Sequence, residues 1–153
     1  MLQLNLPTYP FKIILEGGTK KIYDPLRKKY FVLTPEEWVR QHVAQYLIVQ
    51  KNTPISLIAV EREVVYNGLN KRFDILLFDK NAVALMLVEC KAAHIKINQK
   101  TFDQAAMYAF ALETKYILVT NGLQHFCFRV NRINKTCLPL KDVPSFEQME
   151  ASQ

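Results

Sequence analysis

Two acids and a lysine interrupt an otherwise apolar stretch of the chain that runs from residue 72 to residue 91. Asp74 lies in the first of two strand-like runs, and Glu89 and Lys91 lie at the end of the second. Burying charged groups is costly unless they are paired or bind a ligand. We therefore expect these three side chains to act together.

The chemistry that suits this grouping is metal-dependent phosphodiester hydrolysis. The carboxylates of Asp74 and Glu89, with the backbone carbonyl of Cys90 as a further ligand, are an oxygen shell suited to Mg²⁺ or Mn²⁺. A metal held there polarises a phosphodiester and makes a bound water more acidic. Lys91 can orient that water and stabilise the negative charge that develops on the phosphate.

The charges can meet only if the two strands pair in a suitable register. A turn centred on residues 80–81 sets Asp74 opposite Leu87 and Arg72 opposite Glu89. Asp74 and Glu89 are then diagonal neighbours on one face, about 7–8 Å apart at Cα, close enough to share one cation. A slip of one residue would move Asp74 to the opposite face.

One predicted helix precedes these strands and another follows them. Thr34 is a suitable N-cap, Pro35 suits the first helical position, and Thr34 with Glu37 can form a capping box. Apolar residues then recur at helical spacing until about Gln50. The second helix is predicted over Thr101–Glu113, where apolar residues again recur on one side.

The predicted strands build a sheet that needs cover on both faces. Those before the second helix are joined by short turns and are therefore antiparallel, and those after it meet through Asn121-Gly122, a strong hairpin signal. The runs around Asp74 and Glu89 are apolar on both faces, and the two helices are the available cover. We therefore predict an α/β fold, an α/β/α sandwich with a central mixed sheet. Its strands are Ser56–Tyr66, Arg72–Phe78, Val83–Lys91, Tyr116–Thr120 and Phe126–Val130.

The rest of the chain divides into two flanking segments. Residues 1–33 are predicted to form a small N-terminal β-hairpin extension, with strands at Phe11–Leu15 and Tyr30–Leu33. Residues 34–140 form the core, and the polar tail at 141–153 is expected to end in a short helix or in disorder.

Composition places few limits on the partner. The chain has 153 residues and a formal charge of +6, which is compatible with binding a phosphate backbone. No apolar run approaches the ~20 residues that span a bilayer, and the N-terminus lacks the pattern of a signal peptide. The three cysteines fit no zinc spacing and are expected to be reduced thiols. We expect a cytoplasmic protein with no membrane partner.

These motifs together resemble a known nuclease family. Asp74, followed fifteen positions later by Glu89-Cys90-Lys91, is similar to the PD-(D/E)xK nuclease signature, with Phe73 where a proline is loosely expected. Gln104-x-x-x-Tyr108 is similar to the QxxxY motif of RecB-like nucleases. The stretches TPEEWVRQ, RFDILLF, VECKA, DQAAMY and VTNG resemble, in this order, the N-terminal nuclease domain of type I restriction enzyme R subunits.

The resemblance implies a restriction-endonuclease-like fold and a role for each matching residue. Asp74 and Glu89 would bind metal, and Lys91 would be the catalytic lysine. Gln104 and Tyr108 would hold DNA or the geometry of the site. An acid of the first helix often completes such sites, for which Glu37 is preferred to Glu36. Two basic residues just past the motif are candidates for phosphate contacts: Lys96 and Lys100.

The function so implied is that of a Mg²⁺-dependent DNA endonuclease of restriction or repair type. A chain of 153 residues cannot also contain the helicase motor of that family, so we expect a separate motor or restriction–modification subunit as partner. The alternative from another class is a catalytically silent nuclease-like module for DNA binding or assembly. RNA is a third candidate substrate.

Structural explanations compete with several of these roles. The charged residues could be an ion-paired sheet end in which Arg72 pairs with Glu89 across the strands. The capping box alone could explain Glu37, and Gln104 could be the capping-box partner of Thr101. The basic segment at residues 20–29 is more often a solvated loop than a DNA contact.

Overall fold

The computed structural model describes residues 1–152, apart from the side chains of residues 66 and 69. The described part contains three α-helices and two sheets. The elements in chain order are β1 (Ile13–Glu16), β2 (Thr19–Asp24), β3 (Lys29–Val32), α1 (Pro35–Val49), β4 (Ile58–Tyr66), β5 (Leu69–Phe78), β6 (Ala84–Cys90), α2 (Gln99–Leu112), β7 (Tyr116–Thr120), β8 (His125–Asn131), β9 (Thr136–Leu140) and α3 (Phe146–Ala151).

The larger sheet is mixed and is covered on both faces, as predicted. Its strands lie in the order β4 to β9, and every neighbouring pair is antiparallel except β6 and β7, which α2 connects as a parallel crossover. One apolar cluster joins one sheet face to α1 and α3, and a second joins the other face to α2. The α/β/α sandwich is therefore confirmed. No helix of residues 1–152 has the length and apolar character needed to cross a bilayer.

The helix starts follow their capping residues. Thr34 caps α1, since its Oγ1 accepts a hydrogen bond from the backbone N–H of Glu37 at 3.0 Å, as predicted. The prediction that α2 begins at Thr101 is wrong by two residues. Asn98 is its N-cap and accepts a hydrogen bond from the N–H of Thr101 at 3.0 Å, so the helix begins at Gln99.

The N-terminal extension has one strand more than predicted. β2 contains much of the basic segment, which we had expected to be a solvated loop, and it pairs with β1 and β3 to form a three-stranded antiparallel sheet. Ile22 at its centre is fully buried, whereas the lysines around it mask its strand character in the sequence.

The C-terminal tail ends in the helix that was one of its two expected forms. Residues 136–140 first add β9 to the edge of the large sheet, a strand that the sequence analysis missed. α3 follows, and its Phe146 and Met149 are buried in the apolar cluster between the large sheet and α1, which we call the α1-side cluster. Ser145 and Gln148 form a capping box at the N-terminus of α3. Gln153 lies outside the described residues.

The predicted register of β5 and β6 is wrong by two residues. Leu76 lies opposite Leu87, where the prediction set Asp74 opposite Leu87. The cause is the turn, in which Asp79 accepts hydrogen bonds from the N–H groups at positions 81 and 83, and Ala82 has a φ of 61°. A further irregularity between residues 77 and 78 adds to the shift. Because the slip is an even number, the side chains of the regularly paired residues keep their faces.

Candidate active site

The site begins at a break in the alternation of β5. Phe73 and Leu76 both pack in the α2-side cluster, whereas Ile75 packs in the α1-side cluster. On the neighbouring strand β4, Glu61 has a φ of 55°. The residues before and after Glu61 pair with β5, whereas Glu61 itself does not. Irregularities of this kind re-aim a side chain within a sheet. Here the side chain that is re-aimed is that of Asp74, which turns toward α1.

Asp74 bridges two strands and a helix. Its Oδ2 accepts a hydrogen bond from the backbone N–H of Cys90 at 2.8 Å, in the position where β5 and β6 would otherwise continue their ladder. Its Oδ1 accepts from Nε and Nη2 of Arg40 at 3.2 and 2.8 Å. Extending the observed register by one pair brings Asp74 opposite Glu89. The two predicted carboxylates therefore meet, although by a different register from the one expected.

The half-buried Glu89 has a carboxylate oxygen that is buried and receives no hydrogen bond from the part of the chain that the structure describes. Burial in the sheet, followed by the neighbouring Asp74 carboxylate, raises the pKa of Glu89 to about 7, while the ammonium groups of Lys71 and Lys91 act in the opposite direction. Its Oε1 is buried without a hydrogen-bond partner among the described residues. A proton or a bound cation would satisfy that oxygen and relieve the repulsion between the acids.

The pairing of Arg72 with Glu89, offered as a structural alternative, is wrong. Arg72 lies at the exposed edge and pairs with Glu63 at 3.0 Å and with Glu61 at 3.6 Å. The acid pair is therefore not the end of a simple cross-strand ion pair.

Arg40 of α1 is the buried cation of the site, and the sequence analysis did not single it out. Its Nη2 lies 2.8 Å from carboxylate oxygens of Glu36, Glu61 and Asp74, and its Nη1 pairs with Glu37. Burial raises the pKa of Glu61, and Arg40 opposes that shift. The available signal was the helical spacing, which sets Arg40 one turn after Glu36 and Glu37.

The side chain of Glu37 does not take part in the capping box that was offered as its structural explanation. It is buried and pairs with Arg27, Arg40 and the amide of Gln41, whereas the N–H of Thr34 bonds to the carbonyl of residue 32. Glu36 has 46% of its side chain exposed. Glu37 thus belongs to the buried charge network that reaches Asp74, and its catalytic role remains a prediction.

On the α2 side, Lys71 and Tyr108 form a second group beside Glu89. The ring of Tyr108 packs edge-on against Phe73 with centroids 5.4 Å apart, and Nζ of Lys71 lies 5.0 Å from the centre of the Tyr108 ring. Lys71 was missed because the predicted alternation grouped residues 72, 74 and 76 on the active face. The available signal was its spacing of two residues from Phe73, since residues two apart in a strand lie on the same face.

The remaining predicted residues lie around this centre. Lys91 is half-buried, and its backbone N–H donates to the carbonyl of Thr120 at 2.9 Å, which extends the β6–β7 pairing. The predicted capping role of Gln104 is excluded because Asn98 is the cap of α2. The predicted nucleic-acid contacts outside the centre are exposed: Gln104, Lys96 and Lys100.

The donor set fits a hard divalent cation that completes its shell elsewhere. Within residues 1–152, no three His, Cys, Asp or Glu side chains are grouped as a ready-made metal site. Asp74 and Glu89 supply two acids, and the orphaned Oε1 of Glu89 is free to act as a ligand. Mg²⁺ typically takes one or two carboxylates and fills its other positions with water and substrate phosphate.

Comparisons with known proteins bear on the family and the fold of the chain. A family model described as the type I restriction enzyme R protein N terminus (HSDR_N) matches residues 35–144. No curated protein matches the chain. Among solved structures, the chain is similar to a fragment of a protein assigned as the HsdR subunit of a type I restriction enzyme from Vibrio vulnificus YJ016.

The similarity to that structure is one of fold. Sequence identity is 21% and the TM-score is 0.54, over 76% of this chain and 24% of the other. The chain therefore spans about a quarter of the length of that neighbour. The restriction-endonuclease-like fold expected from the sequence is confirmed.

Proposed function

The chain belongs to the family of the type I restriction enzyme R protein N terminus, and from this membership we propose that it is a metal-dependent endonuclease that hydrolyses DNA. The observation that carries the proposal is the meeting of two acids, the buried Asp74 of β5 and the half-buried Glu89 near the end of β6, with Lys91 two residues on. Family membership makes a restriction–modification setting the natural one.

The residues that would hold Mg²⁺ or Mn²⁺ are Asp74, Glu89 and the backbone carbonyl of Cys90. The unsatisfied Oε1 of Glu89 supports this assignment, since a buried carboxylate oxygen without a hydrogen-bond donor can coordinate a cation instead. A cation bound there supplies Lewis acidity toward the phosphodiester and a more acidic water.

The protein's own side chains have separable tasks in this proposal. Arg40 holds Asp74 in place through two N–H groups on one carboxylate oxygen. Lys91 stabilises the negative charge that grows on the scissile phosphate. Glu89 can carry a proton near neutral pH, because its pKa is raised to about 7 by burial and by Asp74. Gln104, Lys96 and Lys100, all exposed, contact the DNA outside the centre.

A catalytically silent module is the second candidate, and one observation favours it. Arg40 already pairs with Asp74, Glu37 and Glu61 without a metal. In that case the chain would bind DNA or assemble with a motor subunit in the cytoplasm, where its cysteines would stay reduced: Cys90, Cys127 and Cys137.

Cleavage of DNA by the purified chain tests the proposal. Supercoiled plasmid, linear duplex, single-stranded DNA and a matched RNA are incubated with Mg²⁺ or Mn²⁺, with EDTA as the metal-free control. Lys91→Ala should lower the cleavage rate by about 10²–10³-fold, as expected for a group that stabilises transition-state charge. Lys141→Ala, at an exposed lysine after β9, should leave the rate unchanged.

The outcomes separate the candidates. Cutting that is lost with EDTA and with Lys91→Ala assigns both the reaction and the site. If the chain binds DNA and never cuts with either metal, the silent module replaces the nuclease. Faster cutting of RNA than of DNA would change the substrate and keep the site.

A further inference from the structure

The N-terminal sheet carries a concentration of positive charge that the proposed site does not use. Residues 12–29 contain six Lys or Arg and two acids. Both acids are paired, Glu16 with Lys21 and Asp24 with Arg27. Four lysines have no carboxylate partner among the described residues: Lys12, Lys20, Lys28 and Lys29.

The register of the three strands separates two faces, one of which is buried only at Ile22 and Asp24 and carries the exposed Lys20 and Lys29 at its ends. Ile22 and Asp24 of β2 point into the protein and are almost fully buried. The alternate positions form the other face, which we call the basic face. Its members are Lys12, Ile14, Glu16, Thr19, Lys21, Tyr23, Tyr30 and Val32, and its one acid, Glu16, pairs with Lys21.

The basic face combines cations with exposed apolar and aromatic groups. Tyr23 and Tyr30 are cross-strand partners with ring centroids 5.2 Å apart, and Nζ of Lys12 lies 5.8 Å from the centre of the Tyr23 ring. Ile14 and Val32 flank Lys21 on the next row. A merely solvated lysine surface has no reason to expose these apolar groups, whereas a nucleic-acid surface uses both kinds.

The position of the sheet favours DNA over a protein partner. Arg27, on the turn between β2 and β3, pairs with Glu37, which pairs with Arg40, which in turn holds Asp74. The turn that carries Lys28 is thus joined to the acid pair by one chain of ion pairs. For a polyanion that lies over Asp74 and Glu89 and extends toward this turn, the unpaired Lys12 and Lys28 would match the charge.

We propose that the basic face, with Lys28 at its adjoining turn, binds the phosphate backbone of duplex DNA next to the acid pair. This inference rests on DNA being the substrate of the proposed function. It adds a surface in the first 33 residues to the contacts expected from Lys96, Lys100 and Gln104.

The chain offers a closely matched control for a test of this surface. Lys28 and Lys135 are both exposed and both sit in hairpin turns at positive φ, 56° and 52°. Lys12 directly precedes β1 and Lys141 directly follows β9, and both are exposed. The pairs Lys12→Gln/Lys28→Gln and Lys135→Gln/Lys141→Gln therefore remove the same charge from similar backbone, but β9 lies at the sheet edge opposite β4.

The measurement is the salt dependence of binding to a fluorescent duplex by the full chain in EDTA, where no cleavage interferes. Each lost phosphate contact should lower the salt slope by about 1, so Lys12→Gln/Lys28→Gln should lower it by about 2, equally for unrelated sequences. Lys12→Glu/Lys28→Glu should weaken binding further. The Lys135→Gln/Lys141→Gln protein should keep the wild-type slope, and circular dichroism verifies that all variants are folded.

The outcomes test the DNA-binding surface separately from the proposed nuclease activity. Equal slopes for the two double variants, or no DNA binding by the wild type, would overturn it, and a protein partner would then be the occupant to seek. A reduced slope in a chain that never cuts would keep the surface and reject the nuclease. Cutting by the wild type with equal slopes would keep the nuclease and reject the surface.

Discussion

Arg40 and Asp74 are joined across the interface between α1 and β5 by two hydrogen bonds to one oxygen. Nε and Nη2 of Arg40 lie 3.2 and 2.8 Å from Oδ1 of Asp74. The same guanidinium also forms ion pairs with Glu37 and Glu61. One buried cation is therefore shared by the acids around Asp74. The position of Asp74 therefore depends on a residue of α1 that lies in the stretch TPEEWVRQ but was not among the predicted site residues.

Replacing Arg40 should destabilise the protein strongly. Arg40→Met leaves several buried carboxylates without their cation, which costs about 3–5 kcal/mol when a buried pair is broken. Without the cation, the folded-state pKa of Glu61, which burial raises and Arg40 lowers, rises further. Because a raised folded pKa adds stability as the pH falls, the deficit should shrink between pH 7 and pH 5. Urea unfolding at both values measures it.

The control is Arg72→Met, which removes an arginine whose side chain is 60% exposed from the same acid neighbourhood. It should leave the free energy of unfolding unchanged, because exposed ion pairs contribute little. An equal loss for Arg40→Met and Arg72→Met would contradict the central place given to Arg40.

Glu89 should make the stability of the protein depend on pH. Its pKa of about 7 in the folded chain, set by burial and then by Asp74, lies above the reference value of 4.5. The folded state therefore holds this proton more tightly, and the stabilisation it gives is lost as the pH rises toward 7. From pH 5 to pH 8, wild type should lose about 2–3 kcal/mol more than Glu89→Gln.

Urea unfolding of both proteins across this range measures the difference. Glu147→Gln, at an exposed glutamate of α3, should follow the wild-type curve. Parallel curves for wild type and Glu89→Gln would show that Glu89 keeps an ordinary acidity. If Asp74 and Glu89 hold Mg²⁺, the cation should restore the lost stability of wild type at pH 8 and not that of Glu89→Gln.

The ring of Tyr108 should hold Lys71 near Glu89. Lys71→Ala removes a cation that opposes the raised pKa of Glu89, so that pKa should rise by about 1 unit. Tyr108→Leu removes the ring that lies 5.0 Å from Nζ of Lys71 and should shift the pKa in the same direction by less. Tyr108→Phe keeps the ring and should have no effect.

Titration of the Glu89 carboxyl carbon by nuclear magnetic resonance follows each of these variants. Equal pKa values in Tyr108→Phe and Tyr108→Leu would assign no role to the ring. A change caused by Tyr108→Phe would instead assign the role to the hydroxyl group.

The parts of the fold that local patterns determine were predictable. α1 follows from Thr34, Pro35 and an apolar stripe, and its observed bounds, Pro35–Val49, differ little from the prediction. The hairpin at Asn121-Gly122 follows from turn chemistry alone. The α/β/α layering follows from strands that are apolar on both faces.

The geometry of the site was predictable only in part, because it depends on irregularities. The sequence brings Asp74 and Glu89 together in either register, as diagonal neighbours in the predicted one and as a direct pair in the observed one, although the break in β5 turns Asp74 toward α1. The Asp79 turn that causes the slip is formed by local hydrogen bonds from the N–H groups at positions 81 and 83. The orientation of Asp74 is set by tertiary hydrogen bonds from Arg40 and from the backbone N–H of Cys90. Alternation rules describe regular strands and therefore missed Arg40 and Lys71.

The N-terminal segment should be held in place by contact with the turn between β7 and β8. The N–H of Asn5 donates to the carbonyl of Gly122 at 2.8 Å. Gly122 has a φ of 85°, and a Cβ there would lie 2.8 Å from Cδ2 of Leu4 and 3.2 Å from Cγ2 of Val39. Gly122→Ala therefore combines backbone strain with overpacking and should cost about 2–4 kcal/mol.

Gly18→Ala separates the two effects, because Gly18 has a similar φ of 79° and open space around the added methyl group. It should cost only about 1–2 kcal/mol, the strain of the left-handed conformation. Urea unfolding measures both costs, and amide hydrogen exchange at Asn5 should quicken in Gly122→Ala alone. Equal costs, with unchanged exchange at Asn5, would mean that contact with this turn does not hold the segment before β1 in place.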